Sequence, residues 1–84
     1  MSADHKNVAV LGSTGSIGTN ALEVIEASGG RLRPVALSAH GQLDRLLEQA
    51  EQFTPRGIVA SEEELARRFD WSALPETTQL LTGP

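Results

Sequence analysis

Val8-Ala9-Val10-Leu11-Gly12-Ser13-Thr14-Gly15-Ser16-Ile17-Gly18 decides how this chain is read. Asn7–Leu11 is a short apolar run with β-branched residues, the pattern of a parallel strand with apolar residues on both faces. Three glycines follow at three-residue spacing, and then the apolar period changes to 3.6. A strand therefore runs through a tight turn into a helix. The first amides of a helix have no partner inside it, and the helix dipole favours an anion there. In this reading Gly12 permits the turn and Gly15 lets a pyrophosphate approach bare backbone. Gly18 lets the helix pack closely, and Ser13, Thr14 and Ser16 add hydroxyl donors. The pattern G-x-x-G-x-x-G in this context predicts a dinucleotide site, although a turn serving chain reversal alone would use the same glycines. A triphosphate-binding loop is excluded, because it needs Gly-Lys-Ser/Thr and the only lysine is Lys6.

Outward from this turn, Ile17, Ala21, Val24, Ile25 and Ser28 are expected on one helical face, and Gly29-Gly30 ends that helix. Pro34–Ala39 reads as a second strand, with a turn at His40-Gly41. A second helix places Leu43, Leu46, Leu47, Ala50 and Phe53 on one side and stops at Pro55. Gly57–Ala60 is a third strand. Ser61 and Glu64 have the spacing of a capping box for a third helix reaching about Phe69. Trp71–Thr78 is a loop, with Trp71 expected to cover a helix end, and Gln79–Thr82 is one more short strand. The alternation predicts an α/β fold, a partial doubly wound parallel sheet of the Rossmann type in the order βαβαβα with a further strand.

Composition narrows the function. The chain has 84 residues, below the usual length of a domain, which suggests a small domain or a piece of a larger one. Seven Lys and Arg against eleven Asp and Glu give a net charge of −4, which argues against binding nucleic acid or an anionic membrane. There is no cysteine, hence no disulfide and no thiolate zinc site. The polar start, Met1-Ser2-Ala3-Asp4-His5-Lys6, does not lead into a signal sequence, and a cytoplasmic protein is expected.

The end of the second strand bears on the choice of cofactor. NAD-binding units place Asp or Glu about 20 residues past the glycines to hold the ribose 2′-hydroxyl. Ser38-Ala39-His40-Gly41-Gln42 carries no carboxylate, and Asp44 falls inside the next helix. His40, Ser38, Gln42 and the amides of Gly41 and Gln42 are thus candidates for an NADP 2′-phosphate. The same residues would also serve as a plain strand-to-helix turn, with Gly41 supplying a positive φ. No nucleophile–base pair, paired catalytic carboxylates or metal set is evident. His5 and His40 are far apart, Glu62-Glu63-Glu64 reads as a helix start, and Arg67-Arg68 as its close.

The heptad Gly-Ser-Thr-Gly-Ser-Ile-Gly after Val-Ala-Val-Leu resembles the start of the 1-deoxy-D-xylulose 5-phosphate reductoisomerases. The second strand through His40, the helix Leu46–Pro55 ending in Phe-x-Pro, and Thr78–Gly83 resemble the same family in the same order. The resemblance implies an NADPH-dependent oxidoreductase of non-mevalonate isoprenoid biosynthesis. Such an enzyme rearranges and reduces 1-deoxy-D-xylulose 5-phosphate to 2-C-methyl-D-erythritol 4-phosphate with Mg²⁺ or Mn²⁺, as a homodimer. It implies that Thr14, Gly15, Ser16 and Ile17 line the cofactor phosphates and that His40, Gly41 and Gln42 meet the adenosine end. The family turn often reads Gly-Lys/Ser/Arg-Asn, from which His40-Gly41-Gln42 departs. Members are several times longer, so residues 1–84 are expected to be an N-terminal NADPH-binding fragment without the catalytic and C-terminal domains, and inactive alone. Two alternatives are a fragment of another NADP-dependent dehydrogenase and a free-standing nucleotide-binding module.

Overall fold

The computed structural model describes residues 5–83, so the polar start at residues 1–4 lies outside the described chain. Seven elements alternate: β1 (Lys6–Val10), α1 (Ser16–Ala27), β2 (Leu32–Ala39), α2 (Leu43–Phe53), β3 (Gly57–Ala60), α3 (Glu63–Arg68) and β4 (Gln79–Thr82). All adjacent strands pair in parallel, in the spatial order β1-β2-β3-β4. An α/β parallel sheet is what the alternation of apolar periods required. Each strand is added on the same side of the last, so right-handed crossovers put the three helices on one face.

Burial follows that geometry. Val10 on β1, Leu37 and Ala39 on β2, and Ile58 and Ala60 on β3 form one cluster. Leu22 and Ile25 of α1, Leu43, Leu46 and Ala50 of α2, and Ala66 of α3 complete it. The intervening strand residues are less covered: Ala36, Ser38 and Val59 are half-buried, Ala9 is exposed, and Leu81 is 48% exposed. The first strand was expected to be apolar and buried on both faces; in this chain Val10 is buried, Val8 half-buried and Ala9 exposed. β1 is an edge strand of this sheet, with neighbours only through β2.

Three local expectations are corrected. The buried face of α1 is Gly18, Leu22 and Ile25, whereas Ile17 and Val24 are 85% and 62% exposed. Gly18 sets this phase: a Cβ there would strike the Gly12 carbonyl oxygen and lie 2.6 Å from Ser13 Cα. Only a hydrogen lets the helix lie so close to the turn, so Gly18 has to face inward. The second strand begins earlier than expected, at Leu32, with Pro34 inside it. Val8 pairs with Pro34 and Ala9 with Ala36, so Val35 is an extra residue on β2. Pairing to β3 starts only at Ala36, so at Pro34 the second side of β2 is open, where a missing N–H is tolerated.

The capping box does not form either. The residue preceding α3 is Glu62, and no side chain caps that helix end. Ser61 Oγ approaches the Ala39 carbonyl at 3.5 Å, while Glu64 pairs with Arg68 at 3.3 Å and Glu63 with Arg67 at 3.9 Å. The Trp71 expectation holds: its indole Nε1–H donates to the Ala66 carbonyl at 2.9 Å, satisfying a carbonyl at the end of α3. Its ring centroid lies 4.6 Å from that of Phe69. Buried Thr78, just before β4, donates its hydroxyl to the Pro55 carbonyl at 2.6 Å.

Candidate functional site

The carboxyl ends of β1, β2 and β3 are joined by hydrogen bonds. Gly12 N–H donates to Ser38 Oγ at 3.1 Å, Ser13 N–H to the Ser38 carbonyl at 2.8 Å, and Ser61 N–H to the Ala39 carbonyl at 3.0 Å. The β1–α1 turn and the β2–α2 turn therefore lie side by side. Gly12 takes φ +65, the left-handed value that favours glycine. Gly15 N–H folds back to the Gly12 carbonyl at 3.0 Å.

Gly15 is the N-cap of α1, and its carbonyl accepts from Thr19 N–H and Thr19 Oγ1, both at 2.8 Å. The amides of Ser16, Ile17 and Gly18 precede that first intrahelical bond, so the helix supplies them no acceptor. No acidic residue stands in the first turn of α1 to neutralise the positive end of the dipole. Gly15, Ser16 and Ile17 are exposed and Thr14 is half-buried. The exposed residues Ser16 and Ile17 thus carry backbone donors without helical acceptors, an arrangement chemically suited to phosphate oxygens.

Ser13 is different. It was expected to offer a hydroxyl to a ligand, but it is fully buried, and its Oγ donates to Gln49 Oε1 at 2.6 Å. Ser38 is also engaged, as the acceptor for Gly12 N–H. Both hydroxyls shape the turn.

At the second turn His40 and Gln42 are exposed and Gly41 is half-buried. The positive φ falls on Gln42, at φ 50 and ψ 50, and not on Gly41. Gln42 is the N-cap of α2, and its carbonyl accepts from Arg45 N–H and Leu46 N–H. The His40 ring lies between two β3–α3 residues, with Nδ1 3.1 Å from Ser61 Oγ and Nε2 3.6 Å from a Glu62 carboxylate oxygen. Residues 38–42 carry no carboxylate, but the fold brings Glu62 beside them. Asp44 stands in the first turn of α2, as expected.

Three functional candidates were missed in the sequence. Arg45 reaches the Gln42 side chain at 3.5 Å and puts a guanidinium at the second turn. Its position just past that turn was a usable signal, since arginine there accommodates a 2′-phosphate. Glu62 and Gln49 had no such signal, because their partners are distant in sequence. A cleft of about 380 Å³ between α2 and α3, lined by Gln42, Leu43, Asp44, Leu65, Arg68 and Phe69, adjoins the second turn. Among the described residues, no group of three or more His, Asp or Glu side chains is placed to hold a metal ion.

Comparison with known proteins matches residues 8–83 to the family model of 1-deoxy-D-xylulose 5-phosphate reductoisomerase. The chain belongs to the 1-deoxy-D-xylulose 5-phosphate reductoisomerase family. A reductoisomerase of Dechloromonas aromatica is 47% identical over 66 residues, covering 79% of this chain and 17% of its own length. One from Anaeromyxobacter sp. strain K is 44% identical over 78 residues, covering 93% of this chain and 20% of its own. Among solved structures, the Zymomonas mobilis reductoisomerase in complex with NADPH superposes with a TM-score of 0.84 at 28% identity, over 95% of this chain and 21% of that one. A reductoisomerase complex with NADPH, fosmidomycin and magnesium superposes with a TM-score of 0.76 at 33% identity, over 93% and 19%. This chain thus spans about a fifth of the reductoisomerases it matches.

Proposed function

We propose that this chain is the NADPH-binding N-terminal segment of a reductoisomerase that converts 1-deoxy-D-xylulose 5-phosphate to 2-C-methyl-D-erythritol 4-phosphate. The observation that carries the reading is the β1–α1 turn. Its backbone donors, uncompensated helix end and buried Gly18 are those a pyrophosphate cradle needs, and they occur in a chain of this family whose NADPH-bound relative has the same fold. Thr14, Gly15, Ser16 and Ile17 would hold the cofactor phosphates through backbone amides and the Thr14 and Ser16 hydroxyls. His40, Gly41 and Gln42 would meet the adenosine 2′-phosphate, with Arg45 adding charge. NADPH itself supplies the hydride for reduction; these residues bind and orient it. The sugar-phosphate contacts and the Mg²⁺ or Mn²⁺ ligands belong to the catalytic and C-terminal domains of the longer protein, which pairs as a homodimer. We place that protein in the cytoplasm; among the described residues no helix is long and apolar enough to cross a membrane.

Titration of the labelled 84-residue chain with NADP⁺ and NAD⁺, followed by NMR, tests the reading. A helix N-terminus contributes about 0.3–1 kcal/mol to an exposed anion, and each hydrogen bond about 0.5–1.5 kcal/mol, against an ordering cost of several kcal/mol. Affinity is therefore expected on the order of millimolar, about −4 kcal/mol, with NADP⁺ bound more tightly. Shifts should concentrate at residues 13–18 and 40–42, and Gly15→Asp should abolish them by placing bulk and negative charge against the pyrophosphate. Equal or tighter NAD⁺ binding, or shifts confined to α3, would overturn the assignment.

A further inference from the structure

We propose that Gln49 is a positioning residue that fixes the shape of the β1–α1 turn from across the fold. The inference rests on the reading of that turn as a phosphate cradle for its functional consequence, but not for its geometry. Ser13 sits at the centre of the turn and is fully buried. Each of its polar groups has a tertiary partner: N–H donates to the Ser38 carbonyl at 2.8 Å, and Oγ–H donates to Gln49 Oε1 at 2.6 Å. Its carbonyl accepts from Gln49 Nε2 at 2.8 Å. Gln49 lies 36 residues later, in the middle of α2, and spends both ends of its amide on this one residue.

An amide used as donor and acceptor at once resists rotation in a way that a single bond does not. The plane of the Ser13–Thr14 peptide follows from the Ser13 carbonyl, and Thr14 is the first of the residues that present donors to the ligand. On the other side, Gly18 closes on Ser13 Cα, so Ser13 is held between α1 and α2. A donor array held in place before the ligand arrives avoids the cost of ordering it on binding. Gln49 touches no ligand in this arrangement and acts only through Ser13.

Gln49→Met keeps the length and removes both bonds. Gln52→Met is the control: Gln52 lies on the same helix, but its amide bonds Glu26 at 3.2 Å and does not reach the turn. In the ligand-free chain, hydrogen exchange at the bonded turn amides of Gly12, Ser13 and Gly15 is compared with that of amides inside α1, and NADPH affinity is measured in parallel. Gln49→Met should speed exchange at the turn about tenfold relative to α1 and weaken NADPH by about tenfold, with Gln52→Met unchanged in both. Should Gln49→Met fail to fold, Ser13→Ala, which removes the shorter of the two Gln49 bonds together with the 3.4 Å approach of the hydroxyl to the Ser38 carbonyl, should loosen the turn in the same direction. Turn exchange and affinity that match the control, even with a lower melting temperature, would reduce Gln49 to a packing role and overturn the proposal. If the parent chain binds no NADPH while Gln49→Met still loosens the turn, the positioning role stands and the cofactor assignment falls.

Discussion

Gly18→Ala is the sharpest perturbation the structure offers, because one methyl group tests the contact between α1 and the turn. The added Cβ would collide with the Gly12 carbonyl oxygen, and would lie 2.6 Å from Ser13 Cα and 2.9 Å from the Gly12 carbonyl carbon. All three are backbone atoms, so no side chain can swing aside. Relief requires α1 to move off the sheet by most of an ångström, which also strains the Ser13–Gln49 bonds. Overpacking of this kind costs about 1–3 kcal/mol, and a backbone obstacle places it near the upper end. Alanine returns about 1 kcal/mol through better helix propensity. The net loss is about 2 kcal/mol, equivalent to a melting temperature about 8–16 °C lower in a domain this small. Gly15→Ala is the internal contrast. Its Cβ would stand 3.4 Å from the Gly12 oxygen, at an ordinary φ of −79, so its stability should change by about 1 kcal/mol or less. Urea unfolding followed by circular dichroism measures both. Equal midpoints for Gly18→Ala and the parent would refute the close contact, and with it the physical reason for the third glycine.

Thr78→Val should destabilise by about 1–3 kcal/mol in the same assay, since it removes the donor to the Pro55 carbonyl and leaves that buried group short of a partner. Asp70 should titrate below the ordinary carboxylate range, because its carboxylate accepts from Ser72 N–H at 3.0 Å. A lowered folded pKa means that its contribution is present above the ordinary value near 4 and is lost as pH falls through the lowered one; carboxyl NMR would show the midpoint. The 84-residue chain should consume no NADPH above the buffer rate when given 1-deoxy-D-xylulose 5-phosphate and Mg²⁺, since it spans about a fifth of the reductoisomerases it matches; reproducible turnover would contradict this. Its uncovered sheet face and β1 edge should make it self-associate, which sedimentation would reveal as a concentration-dependent mass.

The strands and the turn were legible because their signals are local. A β-branched run, a glycine at each required place and a change of period lie within residues 7–25. The phase of α1 was not legible. Ile17 and Val24 are apolar and at helical spacing, but the inward position was set by Gly18, which carries no hydrophobic signal and faces inward because the turn leaves no room for a Cβ. Ser61 matched a capping pattern, yet tertiary partners on β2 and its following turn, the Ala39 carbonyl and His40, hold its hydroxyl. Gln49 looked like any polar residue on a solvated helix face. Its role depends on Ser13, and nothing near either residue in sequence announces the other. Elements could be read along the chain, whereas the groups that hold the site together could be read only across it.

Trp71 is the sole tryptophan in a chain without tyrosine, and it is half-buried where its indole closes α3 and leans on Phe69. Intrinsic fluorescence therefore has a single emitter, stationed at the end of α3, the helix that links β3 to β4, while the glycine turn follows β1 at the opposite edge of the sheet. A fluorescence melt of this chain will time the release of α3 from its cap and will report the turn only insofar as the two unfold together. Watching both ends of the molecule calls for a second dye at the β1 edge, and any gap between the two curves would show that the sheet comes apart from one side first.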